Sequence, residues 1–152
     1  MKMRIKHPLL FALLFLWMGI FISISFIETP LKFQVTGMTL SIALELGRLT
    51  FAVSTNIQLI LLFFVLLLLF VNRKKMNKST IVSAILLTIV LSLEKFWLLP
   101  VLDTRAAILI TGKGVPPSPL HDYFIYAEIF KLLILIVFCI TLITKKDEQT
   151  FY

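Results

Sequence analysis

Four long apolar blocks, set apart by shorter polar segments, organise the chain. They run over about 8–27, 49–71, 80–99 and 124–144, each close to the ~20 residues a helix needs to cross a ~30 Å hydrocarbon layer. The second contains LILLFFVLLLLF, the third IVSAILLTIVLSL and the fourth FKLLILIVFCITLI. Backbone groups in lipid find partners only within their own helix or in a closed barrel. Barrel strands alternate apolar and polar positions, which excludes them for uninterrupted runs of this kind. The expected fold is therefore all-α, a polytopic four-helix bundle in one domain over 1–152.

The flanks lengthen two of the blocks. After Pro100, VLDTRAAILITGKG places Leu102, Ala106 and Leu109 at helical spacing and ends on Gly112 and Gly114, a stop signal. Pro100 would kink that helix without ending it. Before the second block, TGMTLSIALELGRLTF is helix-like from Met38 onward. The predicted helices are about 8–28, 38–71, 79–111 and 121–144, the second and third extending beyond the outer face as a small cap. At the end of the first, ISFIETPLKF, Pro30 is expected to turn the chain between Glu28 and Lys32. The N-terminal run also resembles a secretory signal, with Ser23 and Ser25 as small residues near its end. Its apolar stretch exceeds the usual ~7–15 residues, so a retained first helix is expected.

Composition agrees and adds a sign. Of 152 residues 59% are hydrophobic, mean hydropathy is +1.00 and net charge is +7, against about 45–50% apolar in soluble domains. Lys2, Arg4 and Lys6 precede the first block, NRKKMNK joins the second and third, and KKDE follows the fourth. The positive-inside rule puts these three segments, and so both termini, in the cytoplasm of a multi-pass protein of the cell membrane. The inner group, with Arg73, Lys74, Lys75, Lys78, Lys145 and Lys146, holds nine basic residues against Asp147 and Glu148, which is the whole net charge. Topology and anionic lipid account for it, and no nucleic-acid partner is needed. The outer group is balanced: six basic residues (Lys32, Arg48, Lys95, Arg105, Lys113, Lys131) face six acidic ones (Glu28, Glu45, Glu94, Asp103, Asp122, Glu128).

Several of these charges lie inside apolar sequence. Glu94, in VLSLEKFWLLP, stands about 20 Å above the inner end of its helix at ~1.5 Å per residue. Glu128 and Lys131 are spaced i,i+3 and meet on one helix face. His121 lies two turns before Glu128 on nearly the same stripe, and Arg48 has Glu45 at i−3 and Asn56 two turns deeper. If the third helix continues through Pro100, Glu94 and Arg105 share a face. Ionisable groups at such depth cost ~2.5–3.5 kcal/mol at the helix centre on insertion scales, so they belong inside the bundle and mark a site by default. The candidate set is Glu28, Lys32, Glu45, Arg48, Asn56, Glu94, Asp103, Arg105, His121, Tyr123, Glu128 and Lys131. A structural clasp between helices is the alternative role. Lys95, beside Trp97, is read as an interfacial anchor.

Motif chemistry is sparse. The chain has no GxGxxG, P-loop, GxSxG, HExxH or CxxCH pattern, and its one cysteine, Cys139, lies within the fourth block. No cofactor or metal is expected; a quinone or a haem is the fallback. The leading expectation is a site that binds or moves a small polar or amphipathic ligand, such as a lipid headgroup or a quinone. Arg48, Arg105 and Lys131 would hold an anionic or carbonyl group, with Glu94, Glu128 and His121 tuning charge. One alternative is a non-enzymatic accessory subunit of a membrane complex. Another is a small oxidoreductase whose His121, with a reference pKa near ~6.5, relays protons with Glu128.

On these residues the chain resembles a family of small four-helix bacterial integral membrane proteins. The matching segments are WMGIFISISFIETPLKFQVTGMTLSIALELGRLTF, LPVLDTR and LHDYFIYAEIFK. The resemblance implies a bacterial source, the four-helix architecture and the outer residue set, and no activity. The LP…R element is also similar to the family of transmembrane protein 205, another four-helix family.

Overall fold

The protein is described here from a computed structural model, which describes residues 3–145. Four helices carry the fold: α1 (Pro8–Lys32), α2 (Leu40–Val71), α3 (Lys78–Ile110) and α4 (Leu120–Thr141), each long and apolar enough to span a membrane. Two short strands, β1 (Met3–Ile5) and β2 (Ile143–Lys145), pair antiparallel at the chain's ends. Both described ends therefore sit at one end of the bundle, called here the terminal end; the connections 33–39 and 111–119 form the loop end. Of the residues that the charge sorting places inside, Lys2, Lys146, Asp147 and Glu148 lie outside the described residues.

The bundle's centre is built from one face of each helix. Leu14, Trp17 and Phe21 of α1, Val65 of α2, Leu87 and Leu91 of α3, and Leu135 and Phe138 of α4 are fully buried in a single cluster. The opposite faces stay apolar, with Phe15, Phe63, Ile85 and Ile140 all exposed. That is a surface made for lipid, since a water-facing helix puts charged and polar residues there. Lipid tails are as apolar as leucine, so packing and buried hydrogen bonds hold such helices together. Trp17 Nε1 donates to Gln58 Oε1 at 3.2 Å, and Gln58 Nε2 donates to Ser54 Oγ at 3.1 Å. Near the terminal end, the Thr80 and Thr141 hydroxyls share a hydrogen bond of 3.0 Å between α3 and α4.

Two boundaries differ from the sequence expectation. Helix α1 does not end at 28: it runs through Pro30 to Lys32, and 33–39 make the turn, with Gly37 at φ +83°. The reason is a π-helical stretch over Ser23–Glu28, where the Thr29 N–H reaches the Ile24 carbonyl five residues back. A proline inside a helix clashes with the carbonyl four residues before it, and the wider π turn relieves that clash. Helix α3 repeats the device: Glu94–Leu98 is π-helical, the Leu99 N–H reaches the Glu94 carbonyl, and Pro100 follows. The second difference is at the termini, where α4 ends at Thr141 instead of 144 and the β pair replaces its last turn. Ile143 and Thr144 are β-branched and suit a strand. Pairing with Met3–Ile5 satisfies backbone groups that a frayed helix end would leave open.

Helix α2 has 32 residues and α3 has 33, about 48–50 Å at ~1.5 Å per residue, well beyond the ~30 Å hydrocarbon layer. Past Pro100, the Leu99–Ile110 part of α3 packs on α2. Thr39 caps α2 by accepting from the Ile42 N–H at 3.3 Å, and Gly112, at φ +77°, closes α3 in the left-handed region.

Candidate functional site

Three helices converge on one ammonium group. Lys131 of α4 is 0% exposed, Glu94 of α3 is 1% and Glu128 of α4 is 6%. The Lys131 Nζ donates to Glu94 Oε2 and, at 2.8 Å, to Glu128 Oε1. The face of Phe21, from α1, lies 5.0 Å from Nζ, a cation–π contact on a third side. Ser25 of α1 donates to Glu128 Oε2 at 2.6 Å. The i,i+3 spacing brings Glu128 and Lys131 together on α4, and the π stretches hold the other members: Ser25 lies in the first, and Glu94 opens the second. Such wide turns occur frequently at functional sites. Glu94 Oε1 is buried and has no hydrogen-bond partner among the described residues.

A cavity of about 310 Å³ adjoins this triad between α1, the start of α4 and Phe51 of α2. Its polar lining is Ser25, Thr29, His121 and Glu128; the rest includes Phe26, Phe33, Phe51 and Phe124. Phe51 and Phe124 meet edge to face with centroids 5.1 Å apart. His121 and Glu128, two turns apart on α4, line the same wall. His121 is exposed at the mouth and Glu128 is buried. The volume falls in the ~300–1,000 Å³ range of small-molecule sites, and the mainly apolar lining is also typical of them.

The remaining candidates form separate groups. Lys32 is buried against α2: its Nζ lies 3.7 Å from Glu28 and 5.5 Å from the Phe51 ring centre. Arg48 pairs with Asp103 of α3 at 3.5 Å instead of with Glu45, which is exposed and joins no ion pair among the described residues. Both partners are about 40% exposed, so this bond contributes little to stability. Lys95, read as an anchor, donates to Asn56 Oδ1 at 3.1 Å. It lines a second groove with Arg48 and Asp103. Arg105 does not join Glu94; it donates to the Pro116 carbonyl and ties the return loop to α3. Tyr123 is exposed on α4 and does not line the cavity.

The structure thus joins Glu94, Glu128 and Lys131 in one triad and lines the adjoining cavity with Glu128 and His121, while Glu28 and Lys32 form a separate pair beside the lining residues Thr29 and Phe51. It sets Arg48, Asn56, Asp103 and Arg105 apart, on the α2–α3 side and the return loop. Comparison with known protein families, curated proteins and solved structures finds no match. The site is therefore read from its own geometry. Sequence reasoning missed Ser25, Thr29, Phe51 and Phe124. The signal for the first two was present in the polar residues interrupting an apolar block just ahead of a proline, a pattern shared by SISFIETP and LEKFWLLP. Nothing distinguishes the two phenylalanines from their apolar neighbours.

Proposed function

We propose that this integral membrane protein binds, and in doing so shelters or moves, a small amphipathic ligand at the loop end of α1 and α4. The observation that carries the reading is the cavity itself: an aromatic chamber in a lipid-spanning bundle with a buried carboxylate, Glu128, on its wall. An amphiphile meets both surfaces at once, its apolar part against the phenylalanines and its head beside Glu128 and Ser25. A lipid headgroup and a quinone are the two ligand types weighed from sequence, and the head-group chemistry decides between classes. No step here requires a resident cofactor.

Mass spectrometry of the gently purified protein tests the reading. A retained amphiphile is expected, and Ile125→Trp, which adds a ring at the cavity wall without touching the triad, should reduce its occupancy about tenfold. Occupancy unchanged in that variant would locate the ligand elsewhere. A ligand-free protein that co-purifies stoichiometrically with another membrane protein would instead establish the accessory-subunit role, with the buried triad as a clasp.

Orientation belongs to the same proposal. The terminal end carries Arg4, Lys6, Arg73, Lys74, Lys75 and Lys78, which the positive-inside rule assigns to the cytoplasm of a cell membrane. The cavity would then open in the outer leaflet. A reporter fused after Gly112 should read outside and one after Lys78 inside; the reverse pair overturns the orientation and leaves the cavity untouched.

A further inference from the structure

We infer that the cavity between α1 and α4 selects an amphiphile with a cationic, hydrogen-donating head, a primary ammonium on an apolar chain, over one with an anionic head. The inference rests on the ligand-binding reading above and names its head-group chemistry.

The first ground is the inventory of donors and acceptors. The Ser25 hydroxyl proton is spent on Glu128 Oε2 at 2.6 Å. The Thr29 hydroxyl proton is spent within its own helix, on the Ile24 carbonyl at 3.0 Å or on Glu28 Oε2 at 3.4 Å. A hydroxyl has one proton and two lone pairs, and an ionised carboxylate only accepts. Ser25, Thr29 and Glu128 therefore have lone pairs to offer a ligand and no proton. Of the described polar side chains lining the cavity, only His121, which is exposed, keeps an N–H. A carbonyl or phosphate head needs donors and finds one; an ammonium needs acceptors and finds three.

The second ground is charge. Two carboxylates, Glu94 and Glu128, share one ammonium, Lys131. The next cation, Lys32, is matched by Glu28 at 3.7 Å. These groups number three carboxyls against two ammoniums, and both ammoniums are already matched. An anionic head would bring a charge with no cation left to meet it, which is costly beside buried carboxyl groups where the effective dielectric is low. A cationic head meets carboxyl oxygens instead. Four phenylalanines line the walls, and aromatic rings attract ammonium groups, as Phe33 and Phe51 already do for Lys32.

The test uses the full chain in phosphatidylcholine nanodiscs, with protein-free discs as the blank. Dodecylammonium and dodecyl sulfate share a chain length and differ in the head. Protein-dependent uptake of the ammonium should exceed that of the sulfate by about tenfold or more, and Ile125→Trp should abolish the excess. Equal uptake, or more of the sulfate, overturns the head-group inference while leaving the cavity reading in place. No protein-dependent uptake of either overturns both. Discs containing phosphatidylethanolamine separate the sources of the ammonium: competition with dodecylammonium identifies a lipid amine head, and its absence a free amine. Glu128→Gln should erase the preference. Should that variant not fold, Ile125→Trp, which spares the triad, still decides.

Discussion

Replacing Lys131 with methionine should cost this protein about 3–5 kcal/mol, the range seen when one partner of a buried ion pair is removed. Lys131 is fully buried, and its ammonium is the shared partner of Glu94 and Glu128. Methionine fills a similar volume, so packing is largely kept and the loss is electrostatic. Two carboxylates would remain side by side with no cation, each deprived of its strongest hydrogen bond. Glu94→Gln acts in the opposite sense: it removes one of the two carboxyl groups that share the ammonium and leaves the Lys131–Glu128 pair in place at 2.8 Å. That variant should fold with a midpoint close to the parent's. The triple variant Lys131→Met, Glu94→Gln, Glu128→Gln should recover part of what Lys131→Met loses, because neutral amides are far cheaper to bury than unpaired carboxylates. Thermal unfolding in detergent, followed by size-exclusion chromatography, reads all three. A Lys131→Met protein as stable as the parent would mean that water or lipid headgroups already solvate the triad.

The contrast between these variants separates two things that one word, charge, runs together in the sequence. Twelve balanced charges near one end of the bundle are legible from positive-inside sorting alone. So are the four spans, because a membrane forces each to be a continuous apolar helix. The grouping of those charges is not legible. Arg48 has Glu45 one turn away, and local spacing favours that pair, yet Asp103 of α3 takes it once the long helices pack on each other. Ser25 lies 103 residues from Glu128, and no periodicity relates them. Pro30 misleads for a more specific reason. Proline normally marks a helix's end, but the π stretch before it absorbs the clash, and α1 gains the turn that brings Lys32 beside Glu28 at i,i+4. Glu128 and Lys131, by contrast, were readable as a pair, since i,i+3 geometry holds in any helix.

Lys32 also sets up the second large effect, at Gly47. A Cβ built on Gly47 would stand 3.3 Å from the Lys32 Nζ, so the end of α1 crosses α2 at the one place in that turn with no side chain. Gly47→Ala asks only for a few tenths of an ångström from the flexible tip of a lysine, and it removes a glycine from a helix interior, worth about 0.5–1 kcal/mol in alanine's favour. That variant should be neutral to slightly stabilising. Gly47→Leu has no such outlet. Its branched chain would claim the space of the ammonium and drive Lys32 off Glu28 and off the Phe51 ring, an overpacking cost of about 1–3 kcal/mol. Phe51 lines the cavity and meets Phe124 edge to face, so displacing Lys32 disturbs the wall as well as the helix crossing. The leucine variant should therefore lose ligand occupancy together with thermal stability, whereas the alanine variant keeps both. Equal stability of the two variants would show that Lys32 swings away from α2 freely. The close approach at Gly47 would then have no part in holding α1 against the cavity.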